Sequence, residues 1–187
     1  MMKMRGLRTI NRNQRGFTLA ELLIAIAISA VIGSAVAGAT YQVVNINAVS
    51  TNHQIVINQV QNAVNSVSRD AEQAQYIVPK NSSDIALPLG TEFKLVENAD
   101  KLTLIWTDWD NTYTEVTYSV VNGILQRSLK VNGVQTSLTN VANNISIASG
   151  NWNSSTKVLN VTIESRITIP KTAAETRIFQ IMPRSAK

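Results

Sequence analysis

The fold is decided by MMKMRGLRTINRNQRG at residues 1–16, followed by FTLAELLIAIAISAVIGSAVAGATY at residues 17–41. The first part carries five basic residues, has no acid and ends at Gly16. The second part is apolar except for one carboxylate, Glu21, and residues 22–41 contain no charged side chain. Twenty helical residues span about 30 Å, which is the thickness of the hydrocarbon layer of a bilayer. The sequence therefore predicts one membrane-spanning helix whose basic leader, residues 1–16, stays in the cytoplasm.

The positive charge of the chain belongs to this leader. The whole sequence has 17 Lys and Arg against 12 Asp and Glu, and without the five basic leader residues the two classes are equal at 12. A chain without net charge lacks the electrostatic footprint of a nucleic-acid-binding protein. Nucleic acid is therefore left open as a partner and is not predicted from the charge.

The composition also excludes several kinds of chemistry. The sequence has no cysteine and one histidine, His53, so disulfides, thiolate sites, cysteine nucleophiles and multi-histidine metal sites are excluded. Neither a glycine-rich phosphate loop nor a Ser-His-Asp arrangement is visible. We predict a protein that is not an enzyme and that needs no cofactor.

Glu21 separates three interpretations of the apolar segment. A secretory signal peptide cut near residues 35–39 and a plain anchor both fit the length, but neither needs a charge that costs about 3 kcal/mol in lipid. Cleavage after Gly16 would instead create an amine on Phe17, four residues before Glu21. If helices are staggered, Glu21 of one chain can pair with the Phe17 amine of the next, which neutralises both charges and fixes a register.

The run Arg15-Gly16-Phe17-Thr18-Leu19 with Glu21 two residues later resembles the signature of type IV pilins. The resemblance is specific over residues 12–41. It implies cleavage after Gly16 by a prepilin peptidase, N-methylation of Phe17 and assembly through Phe17 and Glu21. It also implies other pilin-like subunits, an inner-membrane assembly platform and, before assembly, membrane lipid as partners. Gly38 replaces a proline common in major pilins, and the C-terminal cysteine pair of many major pilins is absent, so a minor subunit is expected.

The helix is expected to continue beyond the membrane. Apolar residues recur every three or four positions, with His53 filling one gap, and no proline occurs between Phe17 and Pro79. We predict a transmembrane or filament-core helix at residues 17–44 and an amphipathic helix at residues 45–78. The predicted buried stripe consists of Val49, Val56, Val60, Ala63, Val67, Ala71, Ala74 and Val78.

Residues 79–187 change to the alternating pattern of β-strands. Runs around Leu104, at residues 116–120, 124–131 and 134–138, and later at 144–149, 158–169 and 177–182, are predicted strands. The dipeptides at residues 122–123 and 132–133 are Asn-Gly, a strong hairpin signal. We predict an α+β fold in which the helix packs on an antiparallel sheet and residues 45–187 form one globular domain. The layout loosely resembles the J-type pseudopilin and the W-type minor pilin.

Two further groups of residues have ordinary structural explanations. Asp108, Asp110 and Thr112 offer oxygen atoms at alternate positions, as calcium loops do, but the glycine and distal glutamate of an EF-hand are missing. We interpret the segment as a turn. Three tryptophans, at positions 106, 109 and 152, are expected in the core or at the rim of the sheet.

The sequence thus predicts a structural subunit, of the minor class, in a type IV pilus-like filament. One helix anchors the chain, and its C-terminal domain is expected to be periplasmic or extracellular. Two alternatives stay open. One is a pseudopilin of a type II secretion or competence pseudopilus. The other is a membrane-anchored extracellular module for binding, adhesion or DNA uptake.

Overall fold

The computed structural model describes residues 16–88, 90–96, 99–169 and 171–184. The chain divides into two compact units, Met1–Asn45 and Ile46–Lys187. Residues 1–15 of the predicted leader lie outside the described residues. The expected α+β class is confirmed, with one long helix and nine strands in the described part of the chain.

Helix α1 spans Leu19–Gln73, and every strand pairing is antiparallel. One sheet has five strands in the order β1-β3-β4-β5-β6 and the other has four in the order β2-β7-β8-β9. The strands are β1 Tyr76–Lys80, β2 Glu92–Lys94, β3 Lys101–Thr107, β4 Tyr113–Val121, β5 Ile124–Val131, β6 Val134–Ala142, β7 Ile145–Asn153, β8 Val158–Ile167 and β9 Ala173–Ile181.

In the first unit the helix has no internal partner. All side chains at residues 17–44 are exposed, including the large apolar ones, and the apolar part of the helix is long and apolar enough to cross a membrane. A helix that is apolar on all sides needs lipid or other helices around it. This unit therefore requires an environment that the chain alone does not provide.

In the second unit the helix buries a single stripe. Val56, Val60, Ala63, Val67 and Ala71 are almost fully buried, at the predicted spacing of three and four. Ala63, Val67 and Ala71 join apolar side chains of both sheets in one hydrophobic core. The stripe follows the helical period because only one side of this part of the helix faces the strands.

The first turns of the predicted stripe are wrong. Val49 is 43% exposed and His53 is exposed, whereas Asn52 is buried and its amide donates to the carbonyl oxygen of Lys171 at 2.7 Å. Asn52 lies four residues before Val56 and so continues the stripe as a polar member. A buried amide is tolerated there because the β8–β9 connection supplies its hydrogen-bond acceptor.

The helix ends at Gln73 rather than at Val78. The backbone N–H of Gln75 already donates to the carbonyl of Ile105 in β3, and its side-chain amide bonds both backbone groups of Thr107. The next residues form β1, where β-branched side chains suit a strand better than a helix. Pro79 is accommodated because β1 is an edge strand.

Both Asn-Gly turns are confirmed. Asn122 and Gly123 have φ of 51° and 69°, and Asn132 and Gly133 have φ of 50° and 80°. Positive φ at both central residues is the conformation that matches the twist of a two-residue hairpin. These turns connect β4 to β5 and β5 to β6.

The strands form two sheets because the chain leaves the first sheet after Ala142. Asn144 has a φ of 57°, and Ile145 then bonds the carbonyl of Gly123 at 2.8 Å before entering β7. A hydrogen bond from the helix stabilises this connection between β6 and β7, since Gln59 Oε1 accepts the backbone N–H of Asn143 at 2.6 Å. The sequence pattern showed the strands on both sides but not the change of sheet.

A buried carboxylate connects the helix to the five-stranded sheet. Asp70 is 2% exposed and accepts the hydroxyl of Tyr118 at 2.6 Å. Arg127 donates its Nε to Asp70 Oδ2 at 2.5 Å and a second nitrogen to Oδ1 at 3.2 Å. Burial and then the nearby Asp70 charge raise the pKa of the Tyr118 phenol. The hydroxyl therefore stays a donor, and its contribution to stability is lost only as the pH rises above the ordinary value near 10.

We predict that Asp70→Asn destabilises the second unit by about 2 kcal/mol or more, because the charge of Arg127 loses its buried partner. The matched control is Asp84→Asn, which removes a carboxylate of an exposed ion pair with Lys101 and should cost less than about 0.5 kcal/mol. Urea unfolding of both variants measures the difference. Equal effects would show that the buried cluster does not stabilise the fold.

We also predict that deleting residues 1–44 gives a soluble, folded α+β monomer. The deletion removes the uncovered apolar helix and keeps the buried stripe with both sheets. Size-exclusion chromatography and a cooperative urea transition provide the measurement. Aggregation, or unfolding without cooperativity, would place the division of the helix elsewhere.

Candidate functional site

The candidate site is the segment where the leader meets the helix. Gly16, Phe17 and Thr18 are non-helical and exposed, and the Phe17 ring is 83% exposed. A side chain added at Gly16 would meet no atom within 4 Å. The peptide bond between Gly16 and Phe17 is therefore in an open, non-helical segment within the chain, which is what a processing peptidase needs.

Thr18 and Glu21 form a reciprocal cap at the start of α1. Glu21 Oε2 accepts the backbone N–H and the hydroxyl of Thr18, both at 2.9 Å, and the Thr18 hydroxyl accepts the backbone N–H of Glu21 at 3.3 Å. This is the capping-box arrangement of a threonine followed three residues later by a glutamate. The carboxylate also lies at the positive end of the helix dipole.

The capping box gives Glu21 a role within its own chain. Among the described residues no cation lies within ion-pair distance of its carboxylate. The bond from the Thr18 N–H also brings Glu21 next to the residue whose amine cleavage would expose. Glu21 is thus hydrogen-bonded as a monomer and adjacent to the predicted new N-terminus.

The polar groups in the middle of the apolar helix are satisfied locally. The hydroxyls of Ser29, Ser34 and Thr40 donate to the carbonyl oxygens of Ala25, Val31 and Val36 at 2.7, 2.8 and 2.9 Å. Such bonds to the preceding turn are how hydroxyls are accommodated in lipid, where no water is available. Within residues 22–40 each side-chain hydroxyl is therefore bonded to the backbone of its own helix.

The weak calcium candidate lies in the connection between β3 and β4. Asp110 Oδ1 accepts the backbone N–H of Thr112 at 3.0 Å, and this bond lowers the pKa of the Asp110 carboxyl. Asp108 closes the loop through backbone bonds with Asn111 and Thr112. Within the described residues no group of three or more His, Cys, Asp or Glu side chains is arranged to hold a metal. These hydrogen bonds are those of a turn.

The tryptophans do not form one surface. Trp106 and Trp152 are each 9% exposed and belong to the hydrophobic core, whereas Trp109 is 97% exposed in the β3–β4 connection. The expectation of core or rim positions holds for the first two residues. The third lies in a turn rather than within a strand.

Sequence reasoning missed two groups of residues. Thr18 was overlooked as the partner of Glu21, although the Thr-x-x-Glu spacing that signals a capping box was visible. Asp70 does not belong to the predicted apolar stripe, but it lies three positions after Val67 and is buried with it. Arg127 lies in a strand that contains no acidic residue, which indicates that its charge pairs with an acidic side chain on another element, here Asp70.

Comparison with known proteins supports the resemblance that the N-terminal segment shows to a known motif. Residues 11–37 match the family model described as the prokaryotic N-terminal methylation motif. That range includes Gly16, Phe17, Thr18 and Glu21 but ends before the second unit. No curated protein and no solved structure matches the chain.

Proposed function

The chain is type IV pilin-like in its N-terminal segment, and on that premise we propose that it is a structural subunit, of the minor class, of a pilus-like filament. The motif implies processing by a prepilin peptidase and assembly with pilin-like partners in general. The observation that carries the proposal is the open Gly16–Phe17 bond directly before a capped helix with no internal partner over residues 17–44.

The proposed sequence of events follows from the physical needs of this helix. The basic leader, residues 1–16, stays on the cytoplasmic side and so sets the orientation of the chain. The apolar helix then crosses the membrane once as an anchor. Cleavage after Gly16 then creates a positive amine on Phe17. In the filament the carboxylate of Glu21 meets the Phe17 amine of a neighbouring subunit, where both charges are neutralised.

The proposed domain division assigns a separate task to each part. Residues 17–44 act as membrane anchor and filament core, and residues 45–187 form the periplasmic or extracellular head. The inner-membrane assembly platform would act on the anchor, which is the part that must leave the lipid. The proposed role is structural rather than enzymatic.

A pseudopilin of a type II secretion or competence pseudopilus is the alternative within the same class. Its anchor would use the same residues, so the N-terminal motif does not separate the two. Genes for secretion, pilus or competence proteins beside this one would decide between them. The absence of a net charge outside the leader gives no support to a DNA-uptake module.

We predict that the protein from its native host is cleaved between Gly16 and Phe17. Intact-mass measurement should give a chain of 171 residues, 187 minus 16, with a methyl group on the Phe17 amine. A host strain without its prepilin peptidase is the control and should keep the full-length chain. A mature chain that begins at Gly38 or Thr40 would instead identify a secretory signal peptide.

Substitutions at Glu21 can separate capping from charge pairing. Glutamine can replace glutamate in a capping box, so Glu21→Gln keeps the cap and removes the charge, whereas Glu21→Leu removes both. We predict that both variants are cleaved and inserted normally but are incorporated into filaments at least about tenfold less, a loss equivalent to ~1.4 kcal/mol. Glu21→Asp, which keeps the charge with a shorter reach, should be intermediate.

The measurement combines intact mass for cleavage with recovery of the variant in sheared or cross-linked filaments. If Glu21→Gln assembles at the normal level and Glu21→Leu does not, the residue acts as a helix cap and the charge pairing is wrong. If both assemble normally, Glu21 has no part in assembly of this subunit.

A further inference from the structure

Two turns of the five-stranded sheet have almost the same local sequence. Residues 121–124 read Val-Asn-Gly-Ile and residues 131–134 read Val-Asn-Gly-Val, and no other Asn-Gly dipeptide occurs in the sequence. Both turns also have the same backbone conformation, with φ of 51° at Asn122 and 50° at Asn132. Any difference in chemistry between these two asparagines must therefore come from their surroundings in the fold.

The dipeptide Asn-Gly has a specific reactivity. The backbone nitrogen of the glycine loses its proton and attacks Cγ of the asparagine side chain. A new C–N bond forms, the C–N bond of the side-chain amide breaks, and the amide nitrogen leaves as ammonia, so that a cyclic succinimide remains. Water then opens the ring at either carbonyl and gives aspartate or isoaspartate, without an oxidant or a reductant. Glycine favours the reaction because it has no side chain to obstruct the ring.

Both turns leave the reacting groups accessible. Asn122 and Asn132 are exposed, and the strand pairs that close each turn flank the Asn-Gly residues, so the two glycines lie outside the ladder. Among the described residues, neither glycine nitrogen donates a turn or loop hydrogen bond. The rate of the reaction then depends on how freely each asparagine side chain can rotate toward the glycine nitrogen.

The side chain of Asn132 is held in another direction. Its Oδ1 accepts the backbone N–H of Tyr113 at 3.0 Å, and its own backbone N–H donates to the carbonyl oxygen of Tyr113 at 2.8 Å. These two bonds close a ring between the turn and the start of β4, and they orient the amide group toward that strand. Cγ can reach the nitrogen of Gly133 only after the bond to Tyr113 is broken. The loss of one ordinary hydrogen bond slows such a step about fivefold.

The side chain of Asn122 has no corresponding restraint. Within the described part of the chain it takes part in no hydrogen bond. The turn is fixed instead through its backbone, because the N–H of Ile145 donates to the carbonyl oxygen of Gly123 at 2.8 Å. That bond holds the carbonyl oxygen of Gly123, which is neither the attacking nitrogen nor the carbon that it attacks.

We propose that Asn122 is a site of spontaneous deamidation and isoaspartate formation in the folded protein, and that the hydrogen bond to Tyr113 protects Asn132 from the same reaction. The sequence gives both asparagines the same reactivity, and the fold separates them. The inference is independent of the proposed function, because it depends only on two turns of the second unit.

The position of Asn122 gives the modification a structural consequence. Isoaspartate adds a methylene group to the backbone and places a carboxylate in the turn. The next residue, Gly123, bonds Ile145 at the start of β7, where the chain passes from the five-stranded to the four-stranded sheet. A side chain added at Gly133 would meet no atom within 4 Å, so the other turn has no such contact to disturb. The reactive asparagine is thus the one beside the connection between the sheets.

Peptide mapping by mass spectrometry tests the inference on the purified full chain in detergent, aged in mildly alkaline buffer. The conversion of each Asn-Gly peptide is followed over time through the mass change that accompanies replacement of the amide by a carboxylate, and electron-transfer fragmentation distinguishes isoaspartate from aspartate. We expect Asn122 to react at least about fivefold faster than Asn132 in the folded chain. In concentrated urea the two rates should become equal, because the local sequences are almost the same.

Two variants at position 113 test the protecting hydrogen bond. Tyr113→Pro removes the N–H that Asn132 accepts, and the first residue of a strand is a position where proline is tolerated. Tyr113→Phe keeps the N–H and the ring and is the matched control. We predict that Tyr113→Pro raises the rate at Asn132 about fivefold, whereas Tyr113→Phe leaves it at the parent value. Circular dichroism checks the fold of both variants, and if Tyr113→Pro does not fold, the comparison of the folded and urea-treated parent decides.

Each other result would overturn the inference. Equal rates in the folded parent, or a faster rate at Asn132, would show that the bond to Tyr113 gives no protection. A preference for Asn122 that persists in urea would assign the difference to the local sequence. If neither asparagine reacts in the folded chain while both react in urea, the turn conformation protects both and Asn122 is not a modification site. A folded Tyr113→Pro variant in which Asn132 stays unreactive would contradict the role of the Tyr113 bond.

Discussion

The structure depends on one unmet need, the burial of the apolar surface at residues 17–44. Every side chain from residue 17 to residue 44 is exposed, and burying a Leu, Ile or Val side chain completely would contribute about 1.5–3 kcal/mol. Lipid can meet that need in a single chain, and neighbouring helices can meet it in an assembly. The cap at Thr18 and the proposed cleavage site after Gly16 lie at the N-terminal end of this segment, where the basic leader joins it.

The second half of the same helix has a different constraint. Its buried stripe needs a covering layer, and two antiparallel sheets provide it around one core. Apolar contacts alone leave small shifts of the helix along the sheet inexpensive. The cluster of Asp70, Tyr118 and Arg127 removes that freedom, since three polar groups are satisfied together in only one position. A buried ion pair of this kind is weak as a source of stability, and specifying a position is its better-supported role.

The features of the fold that could be predicted are those that depend on residues close together in the sequence. The Asn-Gly turns were predictable because positive φ at two successive residues strongly limits which residues fit. The stripe from Val56 to Ala71 was predictable because the helical period repeats. The end of the helix was not, since Gln73 is followed by residues whose strand conformation depends on pairing with β3, far along the chain. The change of sheet after Ala142 and the burial of Asp70 likewise depend on partners distant in sequence.

At the candidate site the sequence identified Gly16, Phe17 and Glu21, and the structure changes the expected free-energy cost of placing the Glu21 carboxylate in lipid. Glu21 was considered as a charge unpaired in lipid, where it would cost about 3 kcal/mol. The capping box shows that its carboxylate already accepts two hydrogen bonds from Thr18. Hydrogen bonds to a charged acceptor are stronger than bonds between neutral groups, so these bonds offset part of the expected penalty before assembly.

In the proposed assembly Glu21 therefore exchanges partners rather than gaining its first one. The net gain from pairing with a Phe17 amine is then smaller than the full cost of an isolated charge, because bonds to Thr18 are weakened or shared when the amine arrives. Lipid tails and neighbouring helices cover the apolar surface of the helix about equally well, so that surface gives little preference for register. The carboxylate contributes what that surface lacks, which is a single axial position at which both charges are satisfied.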